Sequence, residues 1–136
     1  MTADGVLDTS TVILLPRLPD PSALPTNPTI TTITLAELSV GPLVAATDTE
    51  RAARQAQLQQ AERDFDPLPF DASAAIAFGR VAASLRARGR KPAARAYDAL
   101  IAAISIAHGL PIFTVNPTDF ESIDGLVVNA VDHPDA

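Results

Sequence analysis

Cysteine and tryptophan are absent from the 136 residues, which hold one tyrosine, one methionine and a single lysine, Lys91. Without cysteine there is no disulfide framework, no thiolate zinc site and no cysteine nucleophile. Aromatic residues make up only 4% of the chain, so its core must be aliphatic, and 25 alanines point to closely packed helices. Long apolar runs are also missing. Residues 99–107 are interrupted by Ser105 and followed by His108-Gly109, short of the roughly 18 apolar residues of a membrane span. The start, Met1-Thr2-Ala3-Asp4, lacks a positive region, and the first apolar run, residues 12–15, is too short for a signal peptide. A soluble cytoplasmic protein with no membrane partner is expected.

Positive charge is scarce, with 10 Lys+Arg against 16 Asp+Glu and a formal net charge of −6. That balance excludes a generic basic coat that binds nucleic acid by charge alone. The cations are unevenly spread, however. Arg80, Arg86, Arg88, Arg90, Lys91 and Arg95 place six of the ten within 16 residues, and no acid lies between Asp71 and Asp98. The segment is open to two readings, a solvated helix end with arginines near its negative terminus or a flank that holds phosphates. Nine arginines against one lysine favour the phosphate fork.

The length predicts one domain over residues 1–136. A short strand is read at 5–7 and one or two helical turns at 11–15. Five prolines in residues 16–28 (Pro16, Pro19, Pro21, Pro25, Pro28) make that stretch a loop. Residues 29–33, rich in β-branched side chains, read as a strand, with a helix starting at Thr34. Further helices are expected over 48–64 with Asp48 as cap, from a cap at Asp71 or Ser73 to about Arg88, and over 94–108 with Gly109 and Pro111 closing it. Strands follow at 112–115 and 126–128, around an Asn116-Pro117 turn. Strands alternating with helices imply parallel pairing and a small three-layer α/β/α domain.

In an open parallel sheet, ligands bind beyond the carboxyl ends of the strands. Asp8 follows the first predicted strand, and Glu37 and Asp98 fall in first helical turns. Asp119 lies just after the 112–115 strand. Each position also has a local explanation. Asp8 before Thr9-Ser10 reads equally as an N-cap, Thr34-Leu35-Ala36-Glu37 matches a capping box, and Asp119 suits a turn with Asn116. Asp98, beside Tyr97, Leu100, Ile101 and Ile104, has no such excuse, since a carboxylate on an apolar face needs a partner. Converging carboxylates repel one another unless a cation sits between them. Oxygen ligands with no Cys or His nearby select Mg²⁺ or Mn²⁺, which commonly serve phosphodiester hydrolysis.

Other acid-based α/β enzymes match less well. A haloacid-dehalogenase-type phosphatase wants a second Asp where Ser10 stands, and a receiver domain wants a Lys after a late strand. A P-loop is absent. Phe113 and Phe120 read as core, His108 as a helix-end cation, and His133 as part of a tail; with so few aromatics, base stacking is not expected to carry recognition.

Four segments together resemble the PIN-domain ribonucleases, specifically the VapC toxins of bacterial toxin–antitoxin modules. They are Val6-Leu7-Asp8-Thr9-Ser10, Thr34-Leu35-Ala36-Glu37-Leu38, Tyr97-Asp98-Ala99-Leu100-Ile101-Ala102-Ala103 running on to Ala107-His108-Gly109-Leu110-Pro111, and Thr114-Val115-Asn116-Pro117-Thr118-Asp119-Phe120. The resemblance implies a Mg²⁺- or Mn²⁺-dependent endoribonuclease with Asp8, Glu37, Asp98 and Asp119 as catalytic and metal-binding acids. Thr9, Ser10, Thr114 and Asn116 would orient those acids or bound waters. Asn116 stands where some relatives carry an acid, so the fourth ligand is Asn116 or Asp119. Arg86, Arg88, Arg90, Lys91 and Arg95 would hold RNA. The implied partners are an RNA substrate, a VapB-type antitoxin whose tail crosses the acidic site, and a second copy in a homodimer. The proline-rich segment departs from the family, whose members usually have more helix there. A catalytically silent PIN-like module that binds RNA or protein is the alternative reading.

Overall fold

Val6-Leu7 and Ile112-Phe113 are consecutive apolar pairs, and consecutive side chains of a strand point to opposite faces of its sheet. All four are buried, so a sheet containing them must be covered on both sides. The computed structural model, which describes residues 4–91 and 95–135, shows this arrangement. Strands β1 (Asp4–Leu7), β2 (Asn27–Thr29), β3 (Ile112–Thr114) and β4 (Val128–Ala130) form one sheet in the order β2-β1-β3-β4. Every pairing is parallel, and Val6 is in register with both Thr29 and Ile112.

Val6 and Ile112 face a cluster with Val81, Leu85, Ala99, Ala102 and Phe120, supplied largely by helices α4 (Ala72–Ala87) and α5 (Ala96–Ala107). Leu7 and Phe113 face Val12, Leu38 and Ala61, from helices α1 (Thr9–Leu14), α2 (Thr32–Leu43) and α3 (Asp48–Asp64). The three-layer α/β/α expectation therefore holds. Alanine lets α5 pack closely: Ala99, Ala102 and Ala103 are fully buried. Gly109, at φ 64°, takes the left-handed conformation that closes α5. Gly5 has a different reason. A Cβ there would lie 2.4 Å from Cε1 of Phe113, so only glycine lets that ring cross the strand.

Several boundaries move, each for a local reason. The predicted 29–33 strand ends at Thr29, because Thr31 is the N-cap of α2, its hydroxyl accepting from the Thr34 amide at 3.3 Å. The helix thus starts at Thr32, the Thr34 to Glu37 capping box does not form, and Glu37 lies in the second turn. Pro28 belongs to β2, which is tolerated because β2 is an edge strand. The rest of the proline-rich stretch holds two 3₁₀ turns, Leu15–Arg17 and Pro21–Ala23. Helix α1 begins at Thr9 rather than Thr11, because Asp8 caps it. Thr47, not Asp48, caps α3, and Asp71 caps α4. The last strand lies two residues later than expected: the Leu126 amide closes a turn onto Ile123, so pairing starts at Val128. The predicted start of the fifth helix at Ala94 lies outside the described residues.

Candidate active site

The chain leaves β1 towards β2 on one side and places β3 on the other, so the sheet's switch point lies between β1 and β3. Asp8 follows β1 there and is only 3% exposed. Its Oδ1 accepts from the Thr11 amide at 3.3 Å and from the Thr11 hydroxyl, and its Oδ2 accepts from Thr114 at 2.9 Å. Thr114, at the end of β3, in turn accepts from the Asn116 amide at 2.9 Å. The two strands that meet at the switch point thus hold one carboxylate between them. The N-cap reading and the functional reading of Asp8 describe the same geometry.

Glu37 is steered from α1. Thr9 donates to its Oε1 at 2.7 Å, and the Thr9 hydroxyl lies 2.9 Å from that of Thr34, which is fully buried. An ionised carboxylate only accepts, so the single Thr9 proton points to Glu37 and Thr34 donates to Thr9. Asp119 is bound by Arg95 at 2.7 Å, both side chains being 34% exposed. Asp98 stands in the first turn of α5, where the helix dipole favours a carboxylate.

The acids sense one another. Burial raises the Asp8 carboxyl, its threonine hydrogen bonds oppose that, and the Asp119 charge raises it further. Burial also raises Glu37, against the Thr9 hydrogen bond, with Asp8 adding to the rise. Asp98 is pushed up to about 6 by burial and then by the charges of Asp119, Asp8 and Glu37, with Arg95 pulling the other way. Among the described residues no three acids close into a ligand cage. Hydrated Mg²⁺ needs none, since it keeps several waters and takes one or two carboxylates beside substrate phosphates. Hard oxygen donors without sulfur match that ion.

The remaining predicted residues divide. Ser10 makes no side-chain hydrogen bond to the acids among the described residues, and Asn116 meets Thr114 through its backbone. Arg88 donates to the Ser122 carbonyl at 2.6 Å and pairs with Asp124 at 3.4 Å, and Arg90 donates to the Thr118 carbonyl at 3.3 Å. Two of the basic residues therefore fasten the loop between β3 and β4, Arg95 meets the acids, and Arg86 and Lys91 are exposed. Sequence reasoning missed Thr11 and Thr34 as supports. The Asp8-x-x-Thr11 spacing was a visible signal, because a residue three after an N-cap faces the cap. Thr34 was hidden by the capping-box reading.

This fold, with its acids gathered at the switch point, matches the family model of the PIN domain over residues 6–126. The chain belongs to the PIN-domain family. Within it, the chain is 40% identical to Ribonuclease VapC5 of Mycobacterium tuberculosis over 125 residues, 90% of each protein. A crystal structure of VapBC-5, a toxin–antitoxin system of the same organism, superposes with a TM-score of 0.82 at 39% identity, covering 96% of this chain and 99% of that one. A DNA-bound VapBC from Salmonella typhimurium gives a TM-score of 0.75 at 26% identity, over 96% and 98% of the two chains.

Proposed function

We propose that the chain is a divalent-metal-dependent endoribonuclease that hydrolyses RNA phosphodiester bonds. In this reading its single PIN domain acts in the cytoplasm as the toxin of a toxin–antitoxin pair. The observation that carries the catalytic reading is Asp98, a carboxyl raised by burial and by three other acids. A purely structural copy of the fold has no need for carboxylates that repel, so the silent-module alternative is disfavoured. No helix among the described residues is long and apolar enough to cross a membrane.

Asp8, Glu37, Asp98 and Asp119 would hold Mg²⁺ or Mn²⁺, with Asp119 rather than Asn116 as the fourth acid because its charge reaches both Asp8 and Asp98. Held there, such an ion would supply Lewis acidity for a water nucleophile and for charge on the transferring phosphate. The chain's own part is orientation. Thr11 and Thr114 fix both oxygens of Asp8, and Thr9, backed by Thr34, fixes one oxygen of Glu37. Arg95 offsets part of the negative charge that an approaching phosphate meets, while Arg86, Lys91 and the outer faces of Arg88 and Arg90 form the basic flank for the RNA backbone. A VapB-type antitoxin would silence the site by laying a cationic side chain across the four acids, and the active form is a homodimer.

Chelation tests this reading. EDTA is expected to abolish cleavage of single-stranded RNA, and Mg²⁺ or Mn²⁺ to restore it; full cleavage in EDTA would overturn the metal-dependent assignment. The hydroxyl relay makes a finer prediction. Thr34→Val removes the donor behind Thr9 and is expected to weaken Mn²⁺ binding and cleavage by about 10–100-fold, with Thr34→Ser recovering most of both. Calorimetry with Mn²⁺ beside the cleavage rate checks it, and equal affinities in all three proteins would rule out the relay.

A further inference from the structure

Ala36, Glu37 and Val40 of α2 and Tyr97 of α5 line an open cleft of about 410 Å³, within the range of small-ligand sites. Tyr97 is 59% exposed, and its hydroxyl makes no hydrogen bond to a described residue. It is the one aromatic among the large exposed apolar side chains of the described residues. Among the described residues the walls are an aromatic ring and small aliphatic groups, and the only charge is the negative Glu37. A phosphate would be repelled there. A neutral, flat heterocycle would instead bury apolar surface against both walls and stack on the ring.

Position decides which heterocycle. Glu37 lines the cleft itself, so the cleft opens beside the acid site, and Tyr97 on its other wall is the residue before Asp98. On a single strand whose scissile phosphate lies at those acids, the adjoining nucleoside is the group within reach. We propose that this cleft is a nucleobase subsite, in which the base beside the scissile phosphate stacks on Tyr97 and packs against Ala36 and Val40. The inference rests on the nuclease reading above and adds to it a contact with the base rather than the backbone. The overall scarcity of aromatics made stacking look unimportant, yet the one exposed tyrosine or phenylalanine ring among the described residues shares a cleft with Glu37.

Because Tyr97 is the only tyrosine and tryptophan is absent, intrinsic tyrosine emission reports this cleft alone. Titration with a short single-stranded RNA in EDTA, without turnover, is expected to quench that emission, and an abasic ribose-phosphate strand of equal length is not. In steady state, Tyr97→Ala should raise KM about tenfold with a smaller change in kcat, and Tyr97→Phe, which keeps the ring, should recover most of it. The decisive comparison uses RNA lacking one base beside the mapped cut. If Tyr97 holds that base, Tyr97→Ala loses its effect on the abasic substrate, since two partners of one contact do not add. Leu43→Ala, on an 83% exposed residue near the far end of α2, serves as the surface control.

Equal KM penalties on intact and abasic RNA would overturn the subsite. So would a KM effect accompanied by dissociation of the homodimer, which would assign the face to a protein contact. If the wild-type chain cleaves no RNA with any divalent ion, the nuclease reading fails, and the quenching titration still decides the subsite: quenching by RNA but not by the abasic strand supports it, and equal responses overturn it.

Discussion

Asp98→Asn is expected to reduce RNA cleavage by about a thousandfold or more while making the metal-free protein more stable. The first effect follows from the proposed role of Asp98: its charge would be one of those holding an ion that would supply several kcal/mol of transition-state stabilisation. The second follows from linkage. Asp98 ionises near 6 in the folded chain, against 3.8 for an ordinary aspartate. The folded state therefore binds its proton more tightly than the unfolded state, and stability falls as pH rises from about 4 through 6. Above that range the full penalty is present. Allowing for the partial exposure of the side chain, relief is about 1–2 kcal/mol at pH 7, which corresponds to a Tm higher by about 3–8 °C. Thermal melts in EDTA at pH 5 and pH 8 check the sign, since the gap between variant and wild type should widen at the higher pH. A variant that cleaves RNA as well as wild type would remove Asp98 from the catalytic centre. A variant less stable than wild type in EDTA at pH 8 would mean that the acids are not repelling one another.

How far the site was legible in the sequence follows from how local its determinants are. Asp8 was found because a strand that ends in an acid before Thr-Ser is a local pattern, and Asp98 because an acid beside Ile101 and Ile104 is locally costly. Asp119 was found as the acid after β3, yet its pairing with Arg95, 24 residues earlier, has no local signature. The same holds for Arg88 and Arg90. A run of cations looks like one surface, and only the tertiary fold shows that two of them reach back to carbonyls at Ser122 and Thr118.

Glu37 shows the opposite failure. A short pattern, Thr34 to Glu37, had a ready local explanation that the fold did not use. The true cap, Thr31, sits in a β-branched run that suits a strand equally well, and its extended backbone serves both roles: it keeps one parallel bridge to Leu68, far along the chain, while its hydroxyl caps the helix. With the cap moved back three residues, Thr34 faces inward, fully buried, and becomes part of the support for Glu37. The layer architecture was legible because short apolar or β-branched strand runs alternating with Ala-rich helical stretches are redundant signals. Strand ends were less so, because strands of three or four residues carry too few side chains to mark their limits.

Phe120→Ala is expected to be the most destabilising truncation near the site, at about 3–5 kcal/mol, or a Tm lower by roughly 10–20 °C. Phe120 is fully buried among Val6, Val81, Leu85 and Ile112, at the meeting of β1, β3 and α4. Its amide closes the 3₁₀ turn Pro117–Asp119 onto Pro117 at 3.1 Å. The ring is thus the anchor that holds Asp119, one residue before it, towards Arg95 and the other acids. Removing it leaves a cavity under a turn and loop whose other side-chain fastenings are single hydrogen bonds involving Arg88, Arg90, Arg95 and Ser84. Cleavage should therefore fall at temperatures well below the Tm of the variant, because the turn loosens before the domain melts. Phe120→Leu, which refills part of the space, should recover much of both. Melting curves and cleavage rates measured on the same preparations separate the outcomes. A Tm within two degrees of wild type would show that the turn is anchored elsewhere, and full activity up to the melting point would show that Asp119 does not depend on this ring for its place.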